Sequence, residues 1–358
     1  MKVSVIMPVY NAERYLCESL RSAFSQSLTD IEVIAIDDGS PDTCPQILRE
    51  YAQAEPRLRI FTQENLGVFA ARNRGFRAAR GEFIAFLDPD DCYPDGGVLA
   101  DLYTAAKANS VKICGGSWSK LAGGTLITQF AGADAKFSFP RDGMIAYRNY
   151  QFDFGYQRFI FRRDFLLEHG LFFPPYRRYQ DPPFFVRAML AAGEFYALRR
   201  VSYQYRWGHQ NVNWDKARTL ALLDGLTEVL GMANENRLAE LHRLTICRAL
   251  RDLPRTLAAN LSAQNPKILE RLLRLERMIR PEYYPNGDAP SIAPLILGVL
   301  RLREKEIARL GGIRSSMIYR AEEVGKRATK RAAELLRRSL PHGVKARLLK
   351  IITRGLHE

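Results

Sequence analysis

Over the first hundred residues, short apolar runs rich in β-branched side chains alternate with stretches whose apolar residues recur at helical spacing. VSVIM at 3–7 predicts a strand and Asn11 to about Gln26 an amphipathic helix. IEVIAI at 31–36 predicts a second strand, followed by a helix opening at Ser40-Pro41 with serine as N-cap and proline at the first helical position. LRIF at 58–61, a helix near 67–79 and EFIAFL at 82–87 continue the rhythm. Apolar strands joined by helices predict an α/β fold, a Rossmann-like and mostly parallel sheet with helices on both faces. Ligands of such sheets bind beyond the carboxyl ends of the strands. Two polar clusters follow strands directly: Asp37-Asp38-Gly39-Ser40, and Asp88-Pro89-Asp90-Asp91.

From about 111 the pattern loosens into VKICGG, a Gly123-Gly124 turn and TLITQF, a hairpin added to the sheet. Residues 150–210 are dense in aromatics, most of them expected in the core, although aromatic platforms also bind sugar rings. Residues 214–280 read as helices and 281–294 as a proline-rich linker. The chain therefore divides into 1–214, with halves meeting near 110, a helical extension at 215–297 and a basic amphipathic helical tail at 298–358.

Charge sharpens that last boundary. The 358 residues carry 53 Lys/Arg against 39 Asp/Glu, a net +14. Residues 301–358 hold 16 Lys/Arg and 6 Asp/Glu, so a body of +4 carries a tail of +10. The tail either lies on an anionic membrane surface or packs on protein with its charges solvated. The five cysteines, Cys17, Cys44, Cys92, Cys114 and Cys247, form no CxxC, which predicts neither a zinc site nor a disulfide framework and suits a reducing cytoplasm. MKVSVIMPVY is interrupted by Pro8, and IAPLILGVL at 292–300 is well short of a bilayer span, so no membrane-spanning helix is expected.

The candidate chemistry sits at the strand ends. Asp88, Asp90 and Asp91 repel one another, and a divalent cation between them relieves that repulsion. Magnesium or manganese suits such hard oxygen ligands. The bland alternative is a solvated acidic turn, with Asp95 capping the next helix. Ser40 after Asp37 and Asp38 is a ready N-cap, while an aspartate there can also accept a hydrogen bond from a base. Tyr10 is placed to stack on a nucleobase or to be half-buried. Arg72 and Arg74, in LGVFAARNRG, are placed to grip phosphate.

VSVIMPVYN, IDDGS, NLGVFAARNRG and FLDPDD, in this order and at these spacings, resemble the nucleotide-sugar-binding half of family 2 glycosyltransferases, which have the GT-A fold. The resemblance is close over about 1–100 and extends to about 215 through RRDFLLEHGLFF, YQDPPFFVRAML and FYALRRVSYQYR. It implies that 1–214 is a GT-A domain, with a nucleotide-sugar half at 1–110 and an acceptor half at 111–214. Pro8 and Tyr10 would line the nucleotide site, with Tyr10 stacking on the base and Asp38 bonding it. Arg72 would lie near the phosphates, Asp88 near the ribose or metal, and Asp90 would ligate Mn2+ or Mg2+. Asp181 matches the aspartate of the family's Glu-Asp pair, the general base of inverting members. Gln180 stands where glutamate is usual, and Pro182-Pro183 follow, so Asp181 also reads as a helix N-cap, a place that would stabilise its anionic form.

The function implied is metal-dependent, inverting transfer of a sugar from a nucleotide-diphosphate donor, most simply a UDP-sugar, to a glycan or lipid-linked acceptor of bacterial surface polysaccharide. The setting expected is the cytoplasm, either free or peripheral on the inner face of the cell membrane, with homo-oligomerisation left open. An oxidoreductase reading, since βαβ units also build dinucleotide-binding domains, is disfavoured because no GxGxxG follows the first strand. A non-catalytic membrane- or nucleic-acid-binding protein acting through the tail is the remaining alternative, and the near-neutral body argues against nucleic acid. His169 and the other histidines lack metal-ligand spacing and are expected to be structural, with His209 the one placed to face an acceptor.

Overall fold

The computed structural model describes residues 1–208, 214–260 and 266–297. The elements run β1 (Val3–Val9), α1 (Glu13–Phe24), β2 (Ile31–Asp37), α2 (Cys44–Ala54), β3 (Leu58–Thr62), α3 (Val68–Ala78) and β4 (Phe83–Phe86). They continue with α4 (Val98–Ala108), β5 (Ile113–Ala122), β6 (Thr125–Ile127), β7 (Gly143–Ala146), α5 (Tyr147–Tyr150), β8 (Phe159–Arg162) and α6 (Arg163–Glu168). Then follow α7 (Asp181–Ala192), β9 (Glu194–Trp207), α8 (Lys216–Glu235), α9 (Ala239–Asn260) and α10 (Pro266–Met278).

Strands β3, β2, β1 and β4 lie side by side and parallel, and every residue of β1 and β2 is buried, as covering on both faces requires. Beyond β4 the sheet becomes mixed. Strand β8 runs antiparallel to β4 and β5, β9 parallel to β5, and β7 antiparallel to β9. The β5–β6 hairpin forms where the Gly123-Gly124 turn predicts it. The aromatic stretch is chiefly core: Phe86 of β4 meets the rings of Tyr156, Phe161, Phe173 and Phe184.

Two predicted helix starts move. Helix α2 opens at Cys44 behind Thr43, not at Ser40-Pro41. The Asp37 carboxylate takes the Ser40 N–H at 2.9 Å, holding a turn, while Asp42 accepts from Cys44 N at 3.1 Å and from Glu13 N at 3.0 Å. Glu13 in return accepts from Thr43 N at 3.0 Å, so the starts of α1 and α2 satisfy each other. Asp95 likewise does not cap α4, whose N-cap is Gly97; its carboxylate pairs with Arg200 and accepts from Gly97 N at 2.8 Å.

Helices α8 and α9 belong to the same compact unit as the sheet, Met1–Asn260 with Met278–Pro290. A second unit includes, among the described residues, 266–277 and 291–297. Within it, Glu276 accepts from Ser291 Oγ at 2.6 Å and from Ile292 N at 2.8 Å. The basic tail and His209 lie outside the described residues. No helix among the described residues is long and apolar enough to cross a membrane.

Candidate active site

Every predicted site residue except Asp181 sits at or near the carboxyl ends of the parallel strands. Pro8 is buried inside β1, in register with Ile36. Strand β1 ends one residue later and delivers Tyr10 past the edge of the sheet, 48% exposed. Asn11 follows in the left-handed region at φ +50°, which turns the chain into α1.

Asp38 follows β2 and is buried. Its Oδ1 accepts from Gln63 Nε2 at 2.8 Å and Leu66 N at 2.9 Å, and its Oδ2 from Gly67 N at 2.9 Å. The carboxylate therefore shapes the loop that feeds α3, where Gly67 at φ +95° is the N-cap. Arg74 braces the same loop by donating to Thr62 O at 2.7 Å, which commits it to structure rather than to phosphate.

Helix α3 then carries Arg72 inward. Its Nη2 donates to Asp88 Oδ1 at 2.7 Å, and its guanidinium lies 5.3 Å from the ring centroids of both Tyr156 and Phe173. Among the described residues, Arg72 Nε and Nη1 and the Tyr156 hydroxyl are buried with no hydrogen-bond partner. Burial opposes the arginine's charge, yet Asp88, Tyr156 and Asp181 hold it firmly protonated. Asn73 fixes the register of this helix: its amide donates to Phe173 O at 2.8 Å and accepts from Phe173 N at 2.9 Å.

The three aspartates after β4 have separate fates. Asp88 pairs with Arg72 and also accepts from Gln157 Nε2 at 3.0 Å. Asp91 is buried, with Tyr203 Oη donating at 2.7 Å and Arg206 N at 2.7 Å. Burial, with Asp90 and Asp88 adding to it, pushes the Asp91 carboxyl well above the usual range. Part of the expected mutual repulsion is thus met for Asp88 by a guanidinium and for Asp91 by an O–H and an N–H. Asp90 is half-buried, and its carbonyl accepts from Arg206 Nε at 2.9 Å. Among the described residues, no group of three or more His, Cys, Asp or Glu is arranged to hold a metal.

Asp181 is the first residue of α7 and half-buried. Gln180 is the N-cap, and no side chain caps the helix, so the capping role read from the sequence is not taken up. Burial raises the Asp181 carboxyl above the ordinary aspartate value; Arg72 and Arg178 oppose this and Asp88 adds to it. The net direction is opposite to the stabilised anion expected of a helix N-terminus, because burial outweighs the two arginines and the residue's own backbone N–H. The same charges show that Asp181, Arg72, Asp88 and Tyr156 share one electrostatic neighbourhood.

Gln157, Tyr203, Arg206 and Asn73 complete this arrangement and escaped the sequence reading, because each acts across more than 60 residues of chain. His242, in α9, behaves as a structural residue. His242 accepts at Nε2 from Arg280 N at 3.3 Å, its Nδ1 lies 2.8 Å from Asn234 Oδ1, and burial pushes it down to about 4.

Residues 4–169 match the model of glycosyl transferase family 2. The resemblance read from the motifs is thus found over that segment. The chain is 32% identical over 209 residues to the uncharacterized glycosyltransferase EpsJ of Bacillus subtilis, covering 57% of this chain and 60% of EpsJ. It is 44% identical over 96 residues to the minor teichoic acid biosynthesis protein GgaB of the same organism, covering 26% of this chain and 11% of GgaB. The chain therefore spans less than two thirds of the length of these relatives. The fold is that of the S. aureus TarS fragment 1–349 crystallised with UDP-GlcNAc: TM-score 0.64, 20% identity, 79% of this chain and 83% of that one. The mixed sheet with helices on both faces, followed by a helical region, is therefore of GT-A type.

Proposed function

We propose that this chain is a family 2 glycosyltransferase that moves a sugar from a nucleoside diphosphate donor to an acceptor hydroxyl with inversion at the anomeric carbon, in the assembly of a surface polysaccharide. The observation that carries this reading is the buried Arg72–Asp88 pair just beyond the carboxyl end of β4, with Asp181 close enough for its carboxyl to respond to both charges. Such a site offers a cation for phosphate and a carboxylate for a proton.

In this reading Tyr10 stacks on the base, and Asp38 sets the loop beneath it while bonding the base with its remaining acceptor capacity. Arg72, held protonated beside Asp88, sets its positive charge near the donor phosphates. Asp181 removes the proton of the acceptor hydroxyl as its oxygen bonds to the anomeric carbon and the bond to the donor phosphate breaks, the electron pair leaving with the diphosphate. A carboxyl raised by burial is a stronger base than an exposed aspartate.

The donor set tests the expected metal. Magnesium or manganese commonly binds through one or two carboxylates plus substrate phosphates, and Asp90, half-buried in the loop after β4, is the carboxylate proposed to hold it. An ion held by Asp90 in this way fits, and when bound it supplies positive charge to the departing diphosphate.

UDP is the nucleotide this reading favours, since a protein of the same fold was solved with UDP-GlcNAc, and GgaB's role in teichoic acid synthesis favours a cell-surface glycan as acceptor. The test is turnover of a panel of nucleotide sugars with water or a hydroxyl acceptor, with and without Mn2+. Release of nucleoside diphosphate and an inverted sugar is expected; no turnover of any donor, or a retained configuration, contradicts the reading.

A further inference from the structure

Helix α9 lies outside the segment that matches the family, yet it sends a charged side chain to the turn that carries Asp181. Arg248 Nη1 donates to Tyr179 Oη at 2.9 Å and to Asp153 Oδ2, and Tyr179 Oη donates to that same Oδ2 at 3.3 Å. All three residues are buried, and the guanidinium lies 5.1 Å from the Phe154 ring centroid. Tyr179 is two residues before Asp181 and holds φ +65°, which is uncommon and unfavourable for a bulky residue. Helix α8 presses on it from the other side: a Cβ on Gly225 would lie 2.7 Å from both Tyr179 Cδ1 and the Tyr179 carbonyl oxygen.

We propose that Arg248 and Asp153 are positioning residues, which lock Tyr179 in its left-handed conformation and so fix where α7 begins and where Asp181 stands. This rests on Asp181 being the base. A buried ion pair of this kind is weak evidence for stability, and holding one conformation is its best-attested use. Helices α8 and α9 are therefore part of the catalytic apparatus rather than an appendage to it.

Arg248→Met strands the Asp153 carboxylate and risks unfolding, so the decisive variants are milder. Tyr179→Phe removes one hydroxyl and leaves Arg248 bonded to Asp153; Arg248→Lys keeps the charge without the planar fork. Two readouts apply: amide hydrogen exchange of the peptide spanning 178–186, and hydrolysis of UDP-GlcNAc to UDP with water as acceptor. Both variants are expected to exchange at least about tenfold faster in that peptide, with β1–β4 unchanged, and to lose about tenfold or more in kcat at unchanged KM. Exchange as slow as in the wild type, or faster exchange throughout the molecule, overturns the proposal, and that arm needs no donor. Asp181→Asn run alongside separates the two ideas. If it hydrolyses the donor at full rate, the base assignment falls and the positioning role with it. If it is inactive while Tyr179→Phe and Arg248→Lys keep wild-type kcat, only the positioning role is overturned.

Discussion

Arg72 and Asp88 meet at 2.7 Å with side chains only 6% and 17% exposed, joining the helix that follows the third strand to the loop that follows the fourth. Removing one partner leaves the other charged in a place that water hardly reaches. Asp88→Asn is therefore expected to lower the unfolding free energy by about 3 kcal/mol, measured by urea denaturation. A loss below about 0.5 kcal/mol would mean the pair is effectively solvated.

Asn73 makes two hydrogen bonds to the backbone of Phe173 and so joins the two halves of the fold. Asn73→Ala leaves that N–H and C=O without their partner, an expected destabilisation of about 1–3 kcal/mol. Because Phe173 stacks on Phe184 of α7 at 4.0 Å, this variant should also impair turnover more than nucleotide binding. Thermal unfolding and steady-state kinetics check the two parts.

Asp91 gives a pH signature. Its carboxyl is raised in the fold by burial and by Asp90 and Asp88, so between the ordinary aspartate value near ~3.9 and its raised value the folded chain binds more protons than the unfolded one. Stability from this residue is thus lost as pH rises through that window and regained as pH falls. Asp91→Asn retains an acceptor for Arg206 N and should flatten this slope. Chemical denaturation from pH ~4 to ~8 measures it, and parallel slopes for the two proteins would contradict the assignment.

Asp181 as a base must be ionised to work, and burial lifts its carboxyl above the ordinary value. The acid limb of the kcat profile is expected above pH ~3.9, with activity lost as pH falls through the raised value. Asp181→Asn should keep nucleotide affinity and lose about 10²- to 10⁴-fold in turnover. Full turnover in that variant would end its role.

How far the sequence reveals this site follows from how local each feature is. The parallel strands were legible because β1, β2 and β4 are covered on both faces, leaving apolar runs such as VIAI at 33–36. The antiparallel placement of β8 between β4 and β5 was not, since FIFR carries no mark of its partners. The aspartates after β4 were visible, but their separate fates were not: those depend on Arg72, Tyr203 and Arg206, which arrive from distant elements. Ser40-Pro41 misled because Asp37 takes the Ser40 N–H that a helix start would have left for capping.

The proposed donor site binds diphosphate beside Arg72 and Asp88 together with a cation recruited through Asp90. Calorimetric titration of UDP with and without Mn2+, in the wild type and in Asp90→Ala, tests it most directly. Manganese is expected to tighten UDP binding by at least about tenfold, ~1.4 kcal/mol, in the wild type and to have no effect in the variant. The same manganese gain in Asp90→Ala, or none in the wild type, would contradict the account.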